Sequence, residues 1–309
     1  MSIEHLDGLS LKDLRCIAAV ARHRSFGRAA EALHMAQPSV SASIAKAESL
    51  LQRRLFERTG RSFCVTTAGN QVLEVIEHIL AKCSTLAPDA GAAGPLEGAF
   101  HLGLIPTVGS YYLTRVLPPL LARFPDLRLV LTEDITPRLV AKAERGSLDA
   151  CILALPSGGP ALEEIPIFQD ELVVAAPEGH RLEQAKPLHV GDLRRDELIL
   201  MTEGHCLRDQ TLQLCGKSVS ETEIAHAASI ESMKLMVQAR AGCAVVPAIA
   251  ATTFGEPVGF RFHHFAPPAP SRTVGIAFSP EHPRANGART LAEFLKGLVA
   301  SAPRSATGQ

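Results

Sequence analysis

Ser25-Phe26-Gly27-Arg28-Ala29-Ala30-Glu31-Ala32-Leu33-His34-Met35-Ala36-Gln37-Pro38-Ser39-Val40-Ser41 decides how the first third of this chain folds. Ala29, Ala30 and Leu33 fall on one side of a short helix running from about Phe26 to Leu33. His34-Met35-Ala36 is a tight turn, and Gln37-Pro38 opens a further helix that reaches about Leu51. Proline suits a first helical turn, where its missing N–H has no partner in any case. Val40, Ile44 and Ala47 give that helix an inward face. Upstream, Ser10 to His23 reads as an amphipathic helix with Leu11, Leu14, Ile17, Ala18 and Ala21 on one stripe and Ser10 as its cap. Downstream, the alternating runs Arg53 to Arg58 and Ser62 to Thr66 flank Thr59-Gly60-Arg61 and predict a β-ribbon. A long helix from Thr67 to about Leu86 follows, with Val72, Val75, Ile76 and Ile79 apolar.

Helix, turn, helix and basic ribbon make a winged helix-turn-helix pattern, which reads double-stranded DNA. The second helix of the pair is expected to present Gln37, Pro38, Ser39, Ser41, Ser43 and Lys46 outward. Gln pairs with adenine edges, and Ser donates to bases or phosphates. Arg53, Arg54, Arg58 and Arg61 suit phosphates, which predicts affinity that falls steeply with salt. The competing reading is a small helical domain with solvated arginines.

The same stretch, with Leu55-Phe56-Glu57-Arg58 and Thr66-Thr67-Ala68-Gly69, resembles the head of the LysR-type transcriptional regulators over about residues 10–75. The resemblance implies a winged head, a dimerising linker helix and a two-lobed α/β effector domain like periplasmic binding proteins. It also implies dimers or tetramers on paired DNA half-sites, and contact with RNA polymerase. Ala42 and Ala45 stand where family members often carry basic or long polar residues. The expected organisation is a winged domain over 1–66, a linker helix over 67–87, a hinge over 88–95, a regulatory domain over 96–303 and a tail over 304–309.

Pro88 to Pro95 is a run of small residues bounded by prolines, and the boundary is placed there. Beyond it, strands are predicted at Ala99–Ile105, Leu127–Leu131, Ala150–Leu155, Leu172–Ala176, Leu198–Met201 and Arg272–Phe278. Helices are predicted at Tyr111–Phe124, Arg138–Glu144, Ser229–Ala241 and Ala288–Val299. The alternation argues for α/β layers. Composition adds a charge asymmetry: residues 1–71 hold ten Lys/Arg against six Asp/Glu, whereas the whole chain has a net charge of −1. A mildly basic head on an acidic body suits a nucleic-acid end and a regulatory end. The start of the chain shows no signal-peptide pattern. The longest apolar stretch, Ala241 to Ala251, is interrupted by Pro247 and too short to span a bilayer. A cytoplasmic protein without a membrane partner is expected.

Seven cysteines in a reducing compartment are not a disulfide framework. Two of them sit in Gly204-His205-Cys206-Leu207-Arg208-Asp209-Gln210 and Cys215. On one straight helix nine residues put their Cα atoms about 13–14 Å apart. A disulfide needs about 7 Å or less. If these thiols ever join, the segment has to bend or unravel. His205, Arg208 and a following helix N-terminus can favour a thiolate, and Asp209 opposes it. The competing reading is two buried cysteines on one α/β element.

This segment resembles that of the hydrogen-peroxide-sensing branch of the LysR family. Leu102-Gly103-Leu104-Ile105-Pro106-Thr107-Val108-Gly109 and Arg272-Thr273-Val274-Gly275-Ile276 resemble the branch's first effector strand and late strand. The resemblance implies that Cys206 is the peroxidatic thiol and Cys215 the resolving one, reset by a cellular dithiol. It implies a peroxide pocket of Thr107, Thr136, His205 and Arg272. For either threonine the competing reading is a helix cap or strand-end hydroxyl; for Arg272 it is a solvated strand-end arginine. Gly216 to Glu223 does not follow the branch's pattern. Cys16, Cys151 and Cys243 read as small core residues, and Cys64 and Cys83 as more exposed. His263-His264 finds no partners at metal-ligand spacing, and no GxSxG supports a serine hydrolase. No cofactor and no enzymatic activity are expected. The rival functions are a LysR-type regulator responding to a metabolite between the lobes, and a thiol peroxidase.

Overall fold

The computed structural model describes residues 6–59, 62–84, 94–215, 225–253 and 258–301. The chain forms two compact units, Met1–Ala90 and Gly91–Gln309. The part of the hinge before residue 94, the Gly216 to Glu223 connection, Arg61 and the 304–309 tail lie outside the described residues.

The first unit contains α1 (Leu11–His23), α2 (Phe26–Ala32), α3 (Gln37–Leu51), the ribbon β1 (Phe56–Thr59) and β2 (Ser62–Val65), and α4 (Thr67–Ser84). Ser10 caps α1 as expected, in a reciprocal box: the Asp13 N–H donates to Ser10 Oγ and the Ser10 N–H donates to Asp13 Oδ2. The buried stripe of α1 differs from the expected one. Leu14, Cys16, Ile17 and Val20 face the core, whereas Leu11 is 49% exposed. Val20, larger than Ala21, turns the stripe toward itself. Phe26, Phe56 and Phe63 pack together with ring centroids 5.3 to 6.3 Å apart, tying α2 to the ribbon. Glu48 on α3 accepts the Leu55 and Phe56 N–H groups, which fixes where the ribbon leaves the helix.

Asp13 is buried, and Lys46 of α3 donates to its Oδ2 at 2.9 Å. Burial pushes this carboxyl up, but hydrogen bonds from Lys46 and Ser10 outweigh it and hold the group well below the usual carboxylate range. A depressed carboxylate contributes stability above its unfolded pKa and loses it as pH falls. Asp13→Ala is therefore expected to cost about 2 kcal/mol at neutral pH, through the lost cap and charge-assisted bond. In urea unfolding of the full chain that difference should persist above about pH 3.8 and shrink as the solution is acidified below it.

The second unit contains β3 (Gly98–Leu104), α5 (Pro106–Arg123), β4 (Leu127–Glu133), α6 (Thr136–Glu144), β5 (Ala150–Leu155), β6 (Glu163–Pro177), β7 (Ile199–Met201) and α7 (Cys206–Leu214). It continues with β8 (Ala225–Ala227), α8 (Ile230–Gln238), β9 (Ala244–Pro247), α9 (Ala248–Thr253), β10 (Phe260–His264), β11 (Ser271–Phe278) and α10 (Ala285–Ser301). One lobe is built on parallel β4, β3 and β5, with β11 antiparallel to β5. The long β6 joins the lobes. Its first part, to Glu171, pairs with β11, and from Leu172 onward it pairs with β9 and β10. A small parallel sheet of β7 and β8 completes the other lobe.

Only Leu172–Ala176 was expected of β6. The residues before it mix polar and apolar types and include Pro166, and they are strand because β11 pairs with them. Likewise α5 begins at Pro106 rather than Tyr111, with proline in its first turn.

Candidate functional site

Cys206 is the first residue of α7, and Cys215 is its C-cap, donating its N–H to the Thr211 carbonyl. The helix between them is unbroken. At about 1.5 Å per residue their Cα atoms stand roughly 13 Å apart, beyond disulfide reach. Both thiols are reduced and half-buried. The other cysteines divide as expected: Cys16, Cys151 and Cys243 are buried, Cys64 is exposed and Cys83 is intermediate. Burial pushes the Cys151 and Cys243 thiols up to about 12, which keeps them protonated.

The turn that delivers Cys206 is fixed by Gly204. Its φ is +87°, and a Cβ there would lie 2.7 Å from Ile135 Cδ1. Only glycine meets both demands. This contact sets the Gly204-His205-Cys206 turn against the start of α6, beside Thr136. Thr136 is the first residue of α6, and its buried Oγ1 has no hydrogen-bond partner among the described residues. The cap position belongs to Ile135, so the hydroxyl is not a helix cap.

Thr107 lies in the first turn of α5. Parallel pairing of Leu104 with Glu133 brings the starts of α5 and α6 to the same end of the sheet. Thr107 is buried, and its Oγ1 accepts from Arg272 Nη1 at 2.8 Å, which leaves the hydroxyl proton for another acceptor. Arg272 is no solvated strand-end residue: it is 3% exposed. Its Nε and Nη2 donate to Asp170 Oδ2 at 3.0 and 2.9 Å, and Nη2 also donates to the Thr107 carbonyl. Asp170 faces Arg272 across the β6–β11 pairing and accepts the Ile249 N–H of α9 through Oδ1. Burial outweighs the pull of Arg272 and the Ile249 N–H, so its carboxyl sits above the ordinary carboxylate value. The Arg272 charge is thus balanced within the protein. Asp170 was missed in the sequence, where it is one acid in Gln169-Asp170-Glu171; only its cross-strand register with Arg272 singles it out.

One expectation for the thiol's neighbours changes. His205 occupies the N-cap of α7 without a capping bond, and burial holds its imidazole below the ordinary value of 6.5, so near neutral pH it carries no charge to offer Cys206. Arg208 is buried and directs Nη1 to the Met201 carbonyl at 3.4 Å and to His226 Nδ1 at 3.2 Å, on the β7–β8 side.

In the head, Gln37, Pro38 and Ser39 are exposed at the start of α3, Ser41 is half-buried, and Arg53 and Arg54 are exposed. Ser43 was expected outward but is 8% exposed, because it falls between Val40 and Ala47 on the core stripe. Lys46 is half-exposed, but its amine is engaged by Asp13. Arg58 lies on β1, with its side chain outside the described set.

The chain matches the bacterial regulatory helix-turn-helix protein, lysR family, over residues 11–70 and the LysR substrate binding domain over residues 93–300. It belongs to the LysR family of bacterial regulators. Within that family it falls among the relatives of OxyR. It is 33% identical over 293 residues to the "DNA-binding transcriptional dual regulator OxyR" of Escherichia coli K12, covering 94% of this chain and 96% of that one. A full-length OxyR variant from Pseudomonas aeruginosa superposes with a TM-score of 0.73 at 29% identity, covering 93% of this chain and 94% of that chain. A hydrogen-peroxide-bound mutant of Corynebacterium glutamicum OxyR gives 0.63 at 30% identity, covering 94% and 93%.

Proposed function

We propose that this chain is a DNA-binding transcriptional regulator switched by hydrogen peroxide, with Cys206 as sensor and Cys215 as resolving thiol. The observation that carries this reading is the placement of two reduced, reachable thiols at opposite ends of one short helix. The Cys206 thiolate attacks one peroxide oxygen, the O–O bond breaks, and the departing hydroxide takes a proton to leave as water, giving a sulfenic acid. The Cys215 thiolate then attacks that sulfur, and a second water leaves as the disulfide forms. Thr107 and Thr136 hold the peroxide through their available hydroxyls, and Arg272 orients Thr107. A dithiol reductant restores the thiols.

DNA is read through Gln37, Pro38, Ser39 and Ser41 of α3, with Arg53, Arg54 and Arg58 on phosphates. Exposed Val75 and Ile79, four residues apart on α4, are the stripe on which a second copy packs. Exposed Leu121 on α5 and exposed Val130 and Leu131 on the edge strand β4 supply further apolar surface for the second contact of a homotetramer. Oxidation remodels α7, shifts these contacts and changes the spacing of the heads on their half-sites. RNA polymerase and oxidative-stress promoters are the downstream partners. No helix among the described residues is long and apolar enough to cross a membrane.

The test combines mass mapping of thiols after micromolar peroxide with promoter footprinting. A Cys206–Cys215 linkage accompanied by an altered footprint is expected. Oxidation at other cysteines, or an unchanged footprint with that linkage present, refutes the proposal.

A further inference from the structure

Away from the thiol switch, the second lobe gathers His180, Glu197 and Cys243. Their ligand atoms lie within 4.8 Å of one another, and His180 Nε2 stands 3.7 Å from Glu197 Oε2. We infer that these three side chains form a binding site for a zinc-class divalent cation, with solvent in the fourth position.

The geometry is built by the backbone. The Cys243 N–H donates to the Glu197 carbonyl at 2.7 Å, and the Ile199 N–H donates to the Cys243 carbonyl at 2.8 Å. Gly242 permits this approach, since a Cβ there would lie 2.4 Å from the Glu197 carbonyl oxygen. His180 leads into the 3-10 turn Arg181–Gln184 and is brought over the same spot. Zinc takes cysteine sulfur at about 2.3 Å and histidine nitrogen or carboxylate oxygen at about 2.0–2.2 Å, which spaces tetrahedral ligands roughly 3.3–3.8 Å apart. The observed cluster needs only a small contraction. Cys243 is fully buried, while the side chains of His180 and Glu197 keep 17% and 25% exposure, which gives the ion an entry path and the water a place.

The surroundings support the ligands. Arg181 grips the Glu197 carboxylate, with Nε to Oε1 at 3.1 Å and Nη2 to Oε2 at 2.6 Å. Arg181 Nε also donates to Oε2 at 3.0 Å, and together these bonds orient the carboxylate, as outer partners do in metal sites. His263 adds a second imidazole close by. Its buried Nε2 has no hydrogen-bond partner among the described residues. Two rearrangements accompany binding. The Cys243 thiol loses its proton to solvent as the sulfur–metal bond forms. The His180 ring proton moves from Nε2 to Nδ1, which gives up the long 3.3 Å bond from the Leu182 N–H.

Cobalt(II) and zinc(II) are the probes, added to the reduced full chain. One cobalt per chain is expected, with a thiolate-to-cobalt charge-transfer absorption that zinc abolishes. The band should persist in the Cys206→Ser, Cys215→Ser double variant and vanish in Cys243→Ser. His180→Gln and Glu197→Gln, at partly exposed positions, should each weaken zinc by about tenfold or more in competition with a chromophoric chelator. These two variants decide the matter if Cys243→Ser does not fold, as judged by circular dichroism. Absence of one-to-one binding, a band that survives Cys243→Ser, or a band lost in the double variant overturns the assignment.

Discussion

Asp170→Ala is expected to destabilise the full chain by about 3–5 kcal/mol, the range for removing one partner of a buried ion pair. The reason is the state in which it leaves Arg272. That guanidinium is 3% exposed, and its Nε and Nη2 both depend on Asp170 Oδ2. Without the carboxylate a positive charge stays buried with Thr107 as its one remaining partner among the described residues, and the Ile249 N–H loses its acceptor. Both effects act where β6 passes from one lobe to the other, between α5 and α9. Replacing both members, as in Asp170→Leu with Arg272→Met, should cost less than Asp170→Ala alone, because no unpaired charge remains. Thr107→Val leaves the pair intact. It should cost about 1 kcal/mol of stability for one hydrogen bond, yet slow peroxide oxidation of Cys206. Urea unfolding of the three variants checks the order. A loss below about 1 kcal/mol for Asp170→Ala would show that the interior tolerates the arginine unpaired.

The head was largely legible in the sequence, because each of its signals is local. Ser10 marks the start of α1, His34 marks the turn and Gln37-Pro38 opens α3, all within a few residues of what they control. What failed there was side-chain direction. Ser43 looked like a base reader by type and proved to be core by phase, and Lys46 looked like a phosphate contact until Asp13, thirty-three residues away, engaged it. In the body, strands that are continuous apolar runs, such as Ala150–Leu155, were legible; short β9 (Ala244–Pro247) was not, nor was the polar first part of β6, since only pairing with β11 makes it a strand. The cysteines were visible, as was Thr107. Asp170 was not, because its role exists only once residues 102 positions apart in the chain face each other across two strands. The same holds for His180, Glu197 and Cys243, which share no sequence spacing.

Cys206→Ser is expected to abolish the peroxide response, lowering peroxide-driven disulfide formation by about a hundredfold or more, since a hydroxyl at this position does not replace a thiolate nucleophile. Cys215→Ser should behave differently: Cys206 still oxidises, but the sulfenic acid accumulates and proceeds to sulfinic acid at higher peroxide. The decisive readout is the helix between them. Nine residues are too few for a helix to be stable by itself, so α7 is held by tertiary contacts, chiefly through buried Leu207, Arg208 and Thr211. Joining its ends requires the Cα atoms to close from roughly 13 Å to within about 7 Å, which no intact helix of this length allows. Amide hydrogen exchange over residues 207–214 should therefore lose its protection on oxidation of the native chain and keep it in Cys206→Ser and Cys215→Ser under the same peroxide. Protection retained in a chain shown by mass to carry the Cys206–Cys215 linkage would contradict the geometry on which the switch depends.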